Sequence, residues 1–356
     1  QRGGMLCRRQ ELPEAAFLSL ATLRRLSHGV AESLRIVAVS HPWMHPKHPD
    51  PKRFNLMLLS RVLKIYVEGG LGVQRGTFAV FIDFMSLHQK GPDQERTDAE
   101  AALFKKALST MMEWYAHPMV LTFKLTMLPE DYPAGFNFPT GATINTANYE
   151  GRGWCFCESS VSNLVKDSNK VLDLGKYTDA ENDFVSIMKT CATKRAPPLT
   201  PANFRLALDK KQFTSKNADF DMVAKLYEVK FVELMGEAQK LIYYDLRWGD
   251  AEVLAMADVF RSRACLKLRQ LNLGGNQIGD AGVIALVDAC ADNALPALEV
   301  LGLVGNQISD AGIDVLAKAI ADGTLPSIRR VLLHGNLGSN IQVVEDALSV
   351  LIAAGV

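Results

Sequence analysis

A chain of 356 residues has room for two or three domains, and its 48% apolar and 22% charged residues match globular averages, which argues against a disordered or membrane-spanning class. The 39 basic residues balance 39 acidic ones, so the charge footprint of a general nucleic-acid binder is missing and no nucleic-acid partner is expected. The six cysteines (Cys7, Cys155, Cys157, Cys191, Cys265, Cys290) lack paired spacing, which points to reduced thiols and an intracellular, cytoplasmic setting.

An Arg-rich, acid-poor start (Arg2, Arg8, Arg9) leaves organelle import open. Over residues 1–34, apolar side chains recur at helical spacing from Leu12 to Leu34, which predicts an amphipathic packing helix. No apolar run approaches the ~18 residues of a membrane span.

From residue 35 to 177 strand and helix signals alternate, as in a parallel sheet with helices on both faces. RIVAVS (Arg35–Ser40) predicts the first strand and Phe54–Glu68 a helix, stopped by Gly69-Gly70. TFAVFID (Thr77–Asp83) is a second strand, Ala99–Tyr115 a long helix, PMVLTF (Pro118–Phe123) a third strand and KVLDLGKY (Lys170–Tyr177) a fourth. Ligands in such folds gather at the carboxyl ends of the strands, where Ser40 and Asp83 fall. His41, His45, His48 and Asp50 follow the first strand. Pro42, Pro46, Pro49 and Pro51 bar the helix that would align them, so no metal site is expected.

A strand ending in Ser40, a strand ending in Asp83, a third strand and then Trp154-Cys155-x-x-Glu158 resemble Toll/interleukin-receptor (TIR) domains. The set Ser40, Trp43, Phe81-Ile82-Asp83, Gln89, Arg152, Trp154 and Glu158 is still closer to the heterokaryon-incompatibility domains of fungi. The resemblance covers about 140 residues and implies a flavodoxin-like fold. It further implies that Glu158 is a candidate catalytic carboxylate for cleaving NAD between nicotinamide and ribose. By the same resemblance Trp43 or Trp154 stacks on a ring, Ser40 and Asp83 bond polar ligand groups, and Arg152 meets phosphate. The leading expectation is an intracellular interaction, scaffold or signalling module, and an NAD-cleaving enzyme, with NAD as its candidate substrate, is the rival. The chain departs from the TIR pattern in its HPWMHPKHP loop and in the long stretch before Trp154.

Residues 178–237 predict a helical connector: a helix over Ala180–Thr193, a Pro-rich loop at Pro197-Pro198 and Pro201, and a long helix from about Asp219 to Lys240.

Residues 238–356 contain a repeat. LRQLNLGGNQIGDAG (Leu268–Gly282) recurs as LEVLGLVGNQISDAG (Leu298–Gly312), a shift of 30, and again as IRRVLLHGN (Ile328–Asn336). A degenerate first copy begins near Gln239, giving about four units. Leu271/Leu273 and Leu301/Leu303 predict short strands with buried alternate side chains. Asn276, Asn306 and Asn336 are expected to bond turn backbone, and Asp280 and Asp310 to cap the following helices. This pattern resembles ribonuclease-inhibitor-like leucine-rich repeats, so the expected fold is α/β twice over: a flavodoxin-like parallel sheet, then a short α/β repeat array. The array is expected to bind a protein partner through Tyr244, Gln270, Asn272, Val300, Val304, Arg330 and His334. Self-association or membership of a larger complex accompanies that expectation.

Overall fold

The computed structural model describes residues 4–28, 34–68, 78–91, 95–213 and 216–353. The chain divides into two compact units, one of residues 1–162, 169–193 and 207–226, the other of residues 163–168, 194–206 and 227–356. Among the described residues no helix is long and apolar enough to cross a membrane.

In the first unit the N-terminal stretch forms α1 (Leu20–His28), preceded by two short 3-10 turns. The helical spacing from Leu12 is therefore not realised as one helix. Pro13 disfavours helical backbone at Leu12, and the Ser19 hydroxyl accepts the Thr22 N–H at 3.0 Å, which starts the helix late. Residues 29–33 of that expectation lie outside the described residues.

The first sheet comprises β1 (Arg35–Ser40), β2 (Phe78–Phe81), β3 (Leu121–Lys124) and β4 (Val171–Asp173), all parallel, in the order β2-β1-β3-β4. That is the doubly wound, flavodoxin-like order. Val37 pairs with both Val80 and Leu121. Strands covered on both faces read as continuous apolar runs, and Val37, Val39 and Phe123 are at most 1% exposed. They join Leu59, Val62 and Tyr66 of α2 (Phe54–Glu68) in one core. Each fully buried side chain of this kind contributes about 1.5–3 kcal/mol. The expected stop at Gly69-Gly70 lies outside the described residues.

Ile82 leaves β2 into a short helix, α3 (Asp83–Ser86), so Asp83 sits at a strand-to-helix corner. The predicted long helix is broken into α4 (Asp98–Thr110) and α5 (Met112–Ala116). Thr97 and Glu100 form a reciprocal capping box that begins α4 one residue before the apolar spacing does. The turn of Arg152-Gly153 opens α6 (Gly153–Ser162), and α7 (Phe184–Thr190) follows β4. Then come α8 (Pro201–Asp209) and α9 (Lys216–Glu237), each contributing residues to both units.

In the second unit β5 (Lys240–Ile242), β6 (Gln270–Asn272), β7 (Val300–Gly302) and β8 (Arg330–Leu332) form a parallel sheet in sequence order. Lys240, Gln270, Val300 and Arg330 stand in register, which is the repeat made visible. Between the strands run α10 (Asp250–Arg261), α11 (Asp280–Cys290), α12 (Asp310–Ala321) and, at the end, α13 (Gln342–Ala353).

Asn306 reaches across copies: its Nδ2 donates to the carbonyls of Leu273 and Leu303 at 3.0 Å, and its Oδ1 accepts the Ile278 N–H at 3.0 Å. Asn276 and Asn336 do the same one copy earlier and later. The expected role of Asp280 and Asp310 is corrected. Gly279 and Ser309 occupy the cap positions. The Asp280 carboxylate instead accepts from the N–H and hydroxyl of Ser309, at 2.8 and 2.5 Å, in the next copy. Asp310 likewise takes the amides of Ser339 and Asn340. An acid in the first helical turn suits the macrodipole, and here it also pins adjacent repeats together.

Candidate functional site

At the switch point of a doubly wound sheet the chain leaves to opposite sides, and a crevice opens beyond the strand ends. In the first unit β1 is that strand, with β2 on one side and β3 on the other. A cleft of about 410 Å³ lies there, and its lining includes His41, Trp43, Asp83, Trp154, Glu158 and Asp219.

Glu158 is 5% exposed on α6. The fully buried Ser40 at the end of β1 donates to its Oε2 at 2.5 Å. The Tyr149 hydroxyl lies 2.6 Å from Ser40 Oγ and supplies the next hydrogen of the chain. Burial raises the Glu158 pKa well above the usual carboxylate range. The Ser40 hydrogen bond pulls it down, and the charge of Asp83 adds to the rise.

Asp83 also lines the cleft. Its Oδ2 accepts the Trp43 indole N–H at 2.9 Å, and its Oδ1 takes the Phe84 N–H at 2.6 Å and faces His41 Nε2 at 3.2 Å. Because a carboxylate only accepts, His41 donates through Nε2. Gln89 donates its side-chain amide to the Asp83 carbonyl.

Arg152, 4% exposed, spends its guanidinium on backbone carbonyls: Ala147 at 2.9 Å, Trp43 at 2.5 Å and Asn145 at 2.8 Å. It braces the loop after β1 against the stretch before α6 rather than holding an open fork for phosphate. Trp154 donates its indole N–H to Asp219 Oδ2 at 3.2 Å. Burial raises the Asp219 pKa, and this hydrogen bond opposes the rise.

Of the residues singled out in the sequence, Trp43, Asp83, Arg152, Trp154 and Glu158 line one cleft, and Ser40 touches it through Glu158. Asp219, Gln212 and Phe213 also line it and come from the stretch read as connector. The Gly153 N–H donates to the Gln212 carbonyl at 3.0 Å, which lays that stretch along the start of α6. Nothing local in the sequence signals this, since an acid in the first turn of a helix reads as a macrodipole partner.

The residues named for partner contact follow the second unit's strands. Tyr244 is 53% exposed, Arg330 and His334 are exposed, and Gln270, Asn272, Val300 and Val304 are half-buried. The Tyr244 ring lies over the Gly274-Gly275 backbone, where an added Cβ would meet it at 3.2–3.3 Å.

A family model described as Leucine Rich repeat matches residues 264–287, which span β6 and the first part of α11. Among curated proteins none matches the chain.

Proposed function

We propose that the first unit is a TIR-like, heterokaryon-incompatibility-like module whose cleft takes NAD and cleaves the bond between nicotinamide and ribose, and that the repeats bind a protein partner for signalling. The observation that carries the enzymatic part is Glu158: a nearly buried carboxyl, held by Ser40, lining a cleft that also presents two tryptophans. Support also comes from the strand order β2-β1-β3-β4, which matches the fold that the motif order implies.

The chemistry needs little from the protein. Nicotinamide leaves as a neutral ring when the electron pair of the C1′–N bond moves onto its nitrogen, so no general acid is required, unlike the paired carboxylates of ordinary glycosidases. The developing ribosyl cation is stabilised by an anion fixed beside it. Water then bonds to C1′ and releases its proton to solvent. The products are ADP-ribose, nicotinamide and one proton. Burial disfavours the Glu158 anion. A cationic pyridinium ring nearby favours it, so substrate binding and charging of Glu158 reinforce each other.

The test is nicotinamide release from NAD by wild type and Glu158→Ala, each assayed dilute and clustered on a carrier. Release by wild type and none by the variant is expected. Zero release by both in every condition removes the enzyme and leaves the scaffold.

The partner reading rests on the in-register strand face of the second unit, where Tyr244 and Arg330 are exposed side chains. Aromatic and arginine side chains are the ones that most often carry binding energy. Val300, Val304, Gln270, Asn272 and His334 complete the strip.

A further inference from the structure

Two tryptophans line the cleft, and each gives its indole N–H to a carboxylate: Trp43 to Asp83 at 2.9 Å and Trp154 to Asp219 at 3.2 Å. The two pairs come from distant parts of the chain, and Asp219 lies outside the motifs that suggested a site. An indole that donates to an anion is polarised, and its ring face becomes a better partner for positive charge. The cleft also holds a third acid, Glu158, while its Arg152 is occupied by backbone carbonyls. Charge and aromatic surface therefore converge on one kind of guest.

We infer that these two tryptophan–aspartate pairs make the cleft a filter for cationic heteroaromatic rings against their neutral counterparts, with Asp219 as a specificity-determining residue. The inference rests on the cleft being a site for a ring-bearing ligand, as proposed above, but not on cleavage. Burial disfavours the Asp219 anion, and a cation seated beside Trp154 restores it. Within NAD chemistry the filter favours the oxidised cofactor, whose nicotinamide is charged, over the reduced one, whose ring is not.

The experiment uses two probes of nearly equal shape, 1-methylnicotinamide (cationic) and nicotinamide (neutral), with binding read from ligand NMR line broadening on the full chain. Wild type is expected to bind the cation about tenfold more tightly. Asp219→Asn keeps an oxygen to accept the Trp154 N–H but loses the charge. It should cut affinity for the cation about tenfold and leave the neutral probe unchanged. A thermal melt of Asp219→Asn at or above that of wild type shows that the cleft is intact. Equal affinities in wild type, a parallel loss of both probes in the variant, or no binding of either probe overturns the filter. The two proposals fail separately. Charge preference without NAD cleavage removes only the enzyme, and NAD cleavage without charge preference removes only the filter.

Discussion

Burial disfavours the charged form of Glu158, and the sign of the stability effect follows. An unfolded glutamate titrates near pH ~4.3, whereas the folded one titrates well above its ordinary value. Between those points the native chain binds more protons than the unfolded chain, so Glu158 favours folding below the unfolded pKa and loses that contribution as pH rises through the folded one. Asp219 acts in the same direction. Glu158→Gln, which still accepts from Ser40, should therefore melt a few degrees above wild type at pH 7.5 and level with it near pH 4.5. A variant that melts lower at pH 7.5 contradicts the burial argument. At this scale the sequence was informative where chemistry is local: Ser40, Trp43, Asp83, Trp154 and Glu158 stand in a recognisable order. It was silent where residues 65 apart meet, as Trp154 and Asp219 do. It placed Arg152 in the motif but not its partners, which are three backbone carbonyls and the Tyr132 hydroxyl.

Among elements, the repeat was plain because one period sets strand, turn and helix together, and the register confirms the shift residue by residue. What the period hid is that its asparagines and aspartates bond across copies. Asn306→Ala removes the side-chain hydrogen bonds to Ile278, Leu273 and Leu303 from a buried position and should cost about 2–3 kcal/mol in urea unfolding. The same change at the less buried Asn336 should cost less. Equal costs would mean that burial does not set the strength of the ladder. In the first unit the four strands fall where the apolar runs are, while the late start of α1 and the early start of α4 trace to local bonds: the Ser19 hydroxyl before α1 and the Thr97–Glu100 box before α4. Gly153 adds a constraint that no spacing shows. A Cβ there would lie 2.0 Å from the Phe213 ring. Gly153→Ala should lose about 1–3 kcal/mol by overpacking, and combining it with Phe213→Ala should cost less than the sum of the single changes. Strict additivity would mean that the two residues do not share the constraint.

At the scale of the molecule, the two units are proposed to differ in recognition chemistry: the cleft would take a small cationic ring, and the strand face a protein. Substituting Tyr244→Ala together with Arg330→Glu should reduce capture of a partner from cell extract by tenfold or more. A partner retained equally by wild type and the double variant takes the strand face out of the account. The role of Glu158 in the cleft is read from the pH dependence of kcat/KM for nicotinamide release, because that parameter reports ionisations of the free enzyme. If Glu158 is the catalytic carboxylate, the rate rises with pH along an acid limb displaced above the ordinary carboxylate range, with both rate and limb lost in Glu158→Gln. A flat profile, an acid limb at the ordinary value near pH ~4.3, or a limb that survives in the variant contradicts it.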